Sequence, residues 1–363
     1  MPLENSVPDF GAPASSAPTG NLPRKKRVIA VDLDTLAGLD EQLDVSVFGD
    51  HPSIDVAELS EQTGWSLEDI EKLRLWSGMP EKAADEKHFY PKDVEGLKDL
   101  KRFALAEQLD DESLGSMVRA MGSVMERLAL WQVESIVQFL AARYGLNDTQ
   151  ARIEAAEYAP RLGKDFLPQF EMMWLHQYAT AVRRMTLETV LQRGVNDDDQ
   201  QFPLLRAVGY AQIVNFTELT TNLNTTQYGS LVQSFHNRAW DTIRAGGGRV
   251  IKQLGDGVLW VADDIGTGAE ISLKLANMEV GQYGKPVHVG LTWGRVLAAY
   301  GNIFGPNVNL ALQLARAASA TEVYTSDEAA TLLGRYAKYY SLEDVAKAVP
   351  GHESVHAFNL RLV

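Results

Sequence analysis

The sequence predicts an α+β chain in which an all-α N-terminal half precedes a half of alternating strands and helices. Three observations carry this. From Ile54 to Gly194 apolar residues recur at helical spacing, with capping residues and glycine stops. A polar break, Asn196-Asp197-Asp198-Asp199-Gln200-Gln201 before Pro203, then interrupts the pattern. From Leu204 onward short apolar runs alternate with amphipathic stretches in the order β-α-β-β-α-β, the split-βαβ or ferredoxin-like plan, with extra C-terminal pieces. The expected organisation is a disordered tail over 1–27, a helical domain over 28–195, a linker over 196–202 and a strand–helix domain over 203–363.

Composition bounds the rest. The 363 residues suffice for two domains with proper cores. Net charge is −14, from 34 basic and 48 acidic residues, which argues against nonspecific affinity for nucleic acid or anionic membrane. No run approaches the ~18–20 apolar residues of a membrane helix, and the N-terminus has no basic-then-apolar signal pattern. With no cysteine there is no disulfide, thiolate metal site or thiol nucleophile, which fits a cytoplasmic protein.

Residues 1–22 are rich in Pro, Ala, Ser and Gly with few large apolar groups, hence the expected disorder. Arg24-Lys25-Lys26-Arg27 reads as a solvated basic end to that tail, leading into a V-I-A-V-D-L-D run. Asp55 to Gly64 reads as a short helix closed by glycine. Ser66 caps a second helix to Trp76, with Asp69 at its third position. Gly78-Met79-Pro80, a charged loop, His88-Phe89-Tyr90 and a helix opened by Pro91 follow. This helix-turn-helix order resembles the DNA-binding end of the mercury-resistance regulators. The charges weigh against that use. Asp55 to Lys87 holds nine acidic and four basic residues, whereas a recognition helix needs cations for phosphates and base edges. A protein–protein module is the preferred reading.

Residues 92–192 continue as helices. The stripe Leu114, Met117, Met121, Met125, Leu128, then Ile136, Phe139 and Leu140, predicts core. Glu171 to Tyr178 is apolar nearly all round, which predicts burial in a bundle or dimer seam, with His176 as a satisfied core histidine.

In the second half, L-L-R-A-V-G-Y-A-Q from Leu204 is a strand, and Phe216 to Arg244 contains a long amphipathic helix. Ile251 to Trp260 is a hairpin with a tight Gly255-Asp256-Gly257 turn, since Asp-Gly between apolar runs is a strong hairpin signal. Ala269 to Glu279 is a helix, Pro286 to Val296 a strand and Asn307 to Ala317 a helix. Short strands follow near Val323, Tyr339 and His356. The hairpin presents a lysine and a carboxylate. Alone, Lys252 and Asp256 are explained equally well by a snorkelling cation with turn geometry or by a metal–nucleotide site.

Three segments together resolve that choice. Val208 to Thr217 resembles the "V-x-F-A-D-[LIV]-V-G-F-T" opening of class III nucleotidyl cyclases. Arg249 to Trp260 resembles their "K-x-x-G-D-x-x-[ML]" hairpin, and Gly301 to Gln313 their "G-D-x-[YFW]-G-x-x-V-N-x-A-x-R" segment. Order and spacing fit across about 160 residues. The helical half more loosely resembles the regulatory domain of the actinobacterial, autoinhibited members.

The resemblance implies two aspartates holding two divalent ions, a lysine and an aspartate recognising adenine, and an asparagine and an arginine acting from a partner subunit. Lys252, Asp256 and Asn309 keep the base, second-metal and orienting positions. Gln212 replaces the first metal aspartate, Asn302 the adenine-recognising aspartate, and Gln313 the transition-state arginine, the last a loss of several kcal/mol in order of magnitude. Phe216 and Thr217 stand in the nucleotide-binding opening, and Asn215 replaces a glycine where backbone approaches phosphate. Arg316, one turn beyond Gln313, reads as a solvated or ion-paired arginine before a substitute cation.

The expectation is therefore a dimeric, catalytically degenerate cyclase homologue in signalling, still binding nucleotide or another ligand. The alternatives are a weak adenylate cyclase converting ATP to cyclic AMP and pyrophosphate under autoinhibition, and a DNA-binding regulator. No cofactor is certain. Magnesium or manganese with ATP is implied if activity or binding survives. A homodimer is the expected assembly, with a heterodimer with an intact cyclase or docking to another protein as variants.

Overall fold

The computed structural model describes residues 43–80, 82–83, 85–191, 204–221, 223–281, 284–345, 349 and 356–363. The expected tail over 1–27, its basic cluster and the linker over 196–202 lie outside the described residues. The chain divides into two compact units after Trp174, and the α+β reading stands.

In the first unit local chemistry sets the helices. Asp55 caps α1 (Val56–Thr63) by accepting from Ala57 and Glu58 N–H groups, and Glu58 returns a bond to the Asp55 N–H. Loss of such a cap costs about 1 kcal/mol. Gly64 ends the helix at φ 72°, a left-handed conformation that glycine adopts without strain. Ser66 caps α2 (Leu67–Ser77) by accepting from the Asp69 N–H at 3.1 Å. Pro91 opens α3 (Pro91–Ala106). Leu59, Ile70 and Val94 from these three helices close a small core with Ile54, and the Trp65 indole donates to the Leu97 carbonyl at 3.0 Å. Both cations of α2 are held by carboxylates: Lys72 lies 3.1 Å from Glu68 and 3.3 Å from Asp111, and Arg74 pairs with Glu71.

Two long helices follow, α4 (Asp111–Tyr144) and α5 (Asp148–Leu191), the second running into the second unit. Ile136, Val137 and Leu140 of α4 pack on Ala151 and Ala155 of α5. The long stripe is core only in part. Leu114, Ile136 and Leu140 are buried, but Met117, Met121, Met125 and Phe139 are exposed. Glu171–Tyr178 is exposed within the single chain as well, so His176 is not a core histidine of this chain's own helices. The cause is reach: α2 and α3 cover only the first turns of α4, and the α4–α5 seam ends near Phe166.

The second unit is built on an eight-stranded sheet. Its strands are β1 (Leu204–Ile213), β2 (Arg249–Leu254), β3 (Gly257–Ala262), β4 (Val287–Ala299), β5 (Asn302–Phe304), β6 (Val323–Thr325), β7 (Tyr340–Val345) and β8 (Ala357–Leu362). They run in the order β2-β3-β1-β4-β6-β8-β7, with β5 hairpinned onto β4. Every described pair is antiparallel except β4–β6. The short α6 (Phe216–Thr220) and α7 (Thr225–Ala245) connect β1 to β2. The α8 helix (Ile265–Ala276) starts four residues before the Ala269 expected from sequence, because Asp264 caps it through the Thr267 N–H at 2.8 Å. The α9 helix (Pro306–Ala317) and α10 (Asp327–Leu333) complete the unit.

Period-two alternation sorts the strands between two faces. Ala207, Ala211 and Ile213 of β1 join α7 and α8 in the main core, where Phe235, Ile271 and Trp260 are fully buried. Truncating a residue such as Phe235 to alanine costs about 3–5 kcal/mol. Val208 and Tyr210 face the other way, against Ala311 and Ala315 of α9. Glycines set several close approaches. A Cβ at Gly209 would lie 2.1 Å from Trp260 Cζ2. At Gly290 it would lie 2.0 Å from the Ala311 carbonyl oxygen, and at Gly294 2.0 Å from Asn307 Nδ2. The helix α9 therefore rests directly on the β4 backbone.

Candidate functional site

The β2–β3 hairpin turns through Gly255 and Asp256, with Leu254 paired to Gly257. Only Gly255 takes a positive φ, 55°, at the first central position where a two-residue turn favours glycine. The Ile213 N–H donates to the Asp256 carbonyl at 2.9 Å and pins the turn to the end of β1. The pairing of β2 slips between Val250 and Lys252, leaving Ile251 as a bulged extra residue.

At the end of β1 the Gln212 amide donates from Nε2 to Asp256 Oδ2 at 2.7 Å. Asn215 follows with a left-handed φ of 53° and turns the chain into α6. A cavity of about 340 Å³ opens here, bordered by Gln212, Phe216, Thr217, Asp256, His288 and Arg316. Arg316 comes from α9 of the same chain and makes no ion pair among the described residues. The Tyr210 hydroxyl is pushed up by burial and by Asp256, with Arg316 acting in the opposite direction. Two histidines flank Asp256. Burial holds His288 below the ordinary imidazole value, opposed by its bond to the Ala318 carbonyl and by Asp256. Burial likewise holds His236 of α7 down, opposed by a backbone bond at Gly255 and by Asp256.

Of the residues singled out from sequence, Gln212, Asn215, Phe216, Thr217 and Asp256 share this cavity. Lys252 is exposed on β2. Asn302 opens β5 and its Oδ1 accepts from the Ile303 N–H at 2.8 Å. Asn309 is exposed and Gln313 half-buried on α9. None of these last four borders the cavity. His288 and Arg316 do border it; the first carries no sequence signal, and its place follows from strand register. A larger cavity of about 900 Å³, lined by Tyr336, Tyr339, Tyr340, Glu270 and Asp264, contains none of the predicted residues.

The donor set does not fit two hard divalent ions. Such ions take several carboxylate oxygens, whereas here one carboxylate faces a neutral amide that presents its N–H to it. Among the described residues no three His, Asp or Glu converge as a metal cluster. No described helix is long and apolar enough to cross a membrane.

No family model matches the chain. A protein named adenylate cyclase from Glutamicibacter nicotianae is 31% identical over 339 residues, covering 90% of this chain and 82% of that protein. Another, named adenylate cyclase from Streptomyces coelicolor, is 34% identical over 225 residues, covering 61% of this chain and 56% of that protein. Among solved structures, the adenylyl cyclase CyaB from P. aeruginosa is 21% identical with a TM-score of 0.37, covering 43% of this chain and 93% of that one.

Proposed function

The chain belongs to the class III nucleotidyl cyclase family, and from that premise we propose that it is a catalytically degenerate member. In this reading it is a dimeric regulatory protein that binds nucleotide or another ligand, with the helical half transmitting or docking. The observation that carries the reading is the bond from Gln212 Nε2 to Asp256 Oδ2. The position expected to neutralise a cation instead donates a hydrogen bond to the one remaining carboxylate. Gln313 supplies an amide where the family's chemistry uses a cation, so charge developing as pyrophosphate leaves has no guanidinium from that position. A homodimer repeats both changes, so neither of its two sites is complete.

The test sets the purified protein beside a Gln212→Asp, Asn302→Asp, Gln313→Arg triple variant, each with manganese and ATP or GTP. Cyclic nucleotide from the variant alone supports the reading. Robust production by the unmodified chain refutes it and favours an active adenylate cyclase, the activity named for the Glutamicibacter relative.

A further inference from the structure

The cavity of about 900 Å³ beside α8 takes no part in the proposed function. Its volume is that of a small-molecule site. One wall is α8, which brings Asp264, Glu270 and Leu273 to it. The other is the turn after the short Gly334–Tyr336 helix, which brings three tyrosines, Tyr336, Tyr339 and Tyr340. Backbone bonds hold that turn. The Tyr339 N–H donates to the Tyr336 carbonyl at 2.8 Å, and the Val363 N–H donates to the Tyr339 carbonyl at 3.1 Å.

Tyr340 is the residue that points to a ligand. It is only 9% exposed and borders the cavity, yet its hydroxyl makes no hydrogen bond among the described residues. Burial first, then the Glu270 and Asp264 charges, push its phenol up, so both carboxylates stand close enough to act on that hydroxyl. Asp264 commits one oxygen to the Thr267 N–H. Glu270 meets Lys274 only at 3.9 Å, beyond hydrogen-bond reach. The Tyr339 ring already draws one cation, with Lys338 Nζ 5.7 Å from its centroid.

An ammonium group offers three donors and no acceptor, and ring faces attract it. A hydroxyl able to accept, two carboxylates and aromatic rings on one cavity are complementary to that chemistry. We propose that this cavity binds a protonated organic amine, its nitrogen between Tyr340 and Glu270 and its carbon body on Tyr336, Tyr339 and Leu273. Two features there favour an anion instead, Lys274 and the start of α8. Asp264 caps the helix start, and Lys274 is turned to Glu270. The proposal goes beyond the proposed function and stands or falls separately from the cyclase assay.

The full-length chain is titrated by calorimetry with n-butylammonium chloride, with n-butanol as the uncharged counterpart and with inorganic phosphate as the anion. The expected result is saturable amine binding, about tenfold or more tighter than that of n-butanol. Glu270→Gln and Tyr340→Phe each weaken it about fivefold, and Lys274→Gln, which removes a competing cation, tightens it. Glu343→Gln, on β7 but outside the cavity, leaves it unchanged and so separates the site from the general attraction of an acidic protein. Circular dichroism checks folding, and Glu270→Gln, at an exposed position, carries the test if Tyr340→Phe does not fold. Absence of amine binding, equal affinity for n-butanol, equal weakening by Glu343→Gln and Glu270→Gln, or phosphate binding that Lys274→Gln abolishes overturns the proposal.

Discussion

Gln212→Asp exchanges the amide that donates to Asp256 for a second carboxylate beside it. The bond lost spans 2.7 Å to a charged acceptor, an interaction of about 1.5–3 kcal/mol. Two like charges about 4 Å apart repel by about 4 kcal/mol at a protein-surface dielectric and about 1 kcal/mol in water. Gln212 and Asp256 are both half-buried, so the repulsion falls between those limits, and with the lost bond a net loss of about 5 kcal/mol follows in metal-free buffer. For a domain of this size that lowers Tm by about 10–20 °C. The deficit narrows as pH falls through the carboxylate range, because the raised pKa of one acid of the pair lets it take a proton and donate again. Divalent ions that bind the paired carboxylates narrow it too, by mass action. The assay is thermal unfolding of parent and variant with EDTA, then with manganese. Equal Tm values in EDTA, or a variant that manganese leaves unmoved, would refute the account of the Gln212–Asp256 contact.

Gly209→Ala sets a methyl 2.1 Å from the fully buried Trp260 ring. It should cost about 3 kcal/mol, read from the urea midpoint, and shift the tryptophan emission. Glu188→Ala removes one acid from Arg206, whose side chain is 10% exposed and keeps Asp263 at 3.3 Å. A loss of about 2 kcal/mol is expected, below that of a fully buried pair because Asp263 remains, and Arg206→Met should cost more, since it leaves Glu188 and Asp263 both without their cation. His236 is held neutral by burial, so the unfolded chain takes up more protons below the ordinary histidine value of about 6.5. Its contribution is full above that pH and is lost as pH falls. His236→Gln should flatten the decline of Tm between about pH 7 and 5, measured in EDTA.

Caps and turns were legible in the sequence because each needs only neighbours three or four residues away. Asp55, Ser66, Pro91 and the Gly255-Asp256 turn all act at that range. Periodicity reports that a helix face is apolar, not what covers it. Hence Met117, Met121 and Met125 read as core yet lie exposed. The three residues of β5 pair only because β4 runs on to Ala299, past the Val296 at which its sequence signal ends. At the site, residue types were readable from the motifs, but their contacts were not. Gln212 meets Asp256 across 44 positions, and His288 faces Gln212 only because β1 and β4 pair in one register. Spacing along a chain carries no information about either.

The two glycines beneath α9 bear on how the site can be controlled. At Gly290 the helix backbone itself, the Ala311 carbonyl oxygen and the Ala315 N–H, sets the gap, and at Gly294 the Asn307 side chain does. At Gly290 such a mount leaves little room for the helix to tilt, since no side chain there can repack to absorb it. Asn309, Gln313 and Arg316 are thereby gauged to the sheet that carries Gln212 and His288. A ligand of the kind proposed above would meet an opening whose backbone is largely preset. For the function proposed above, regulation would act by assembling or parting the site's components more than by tuning their spacing.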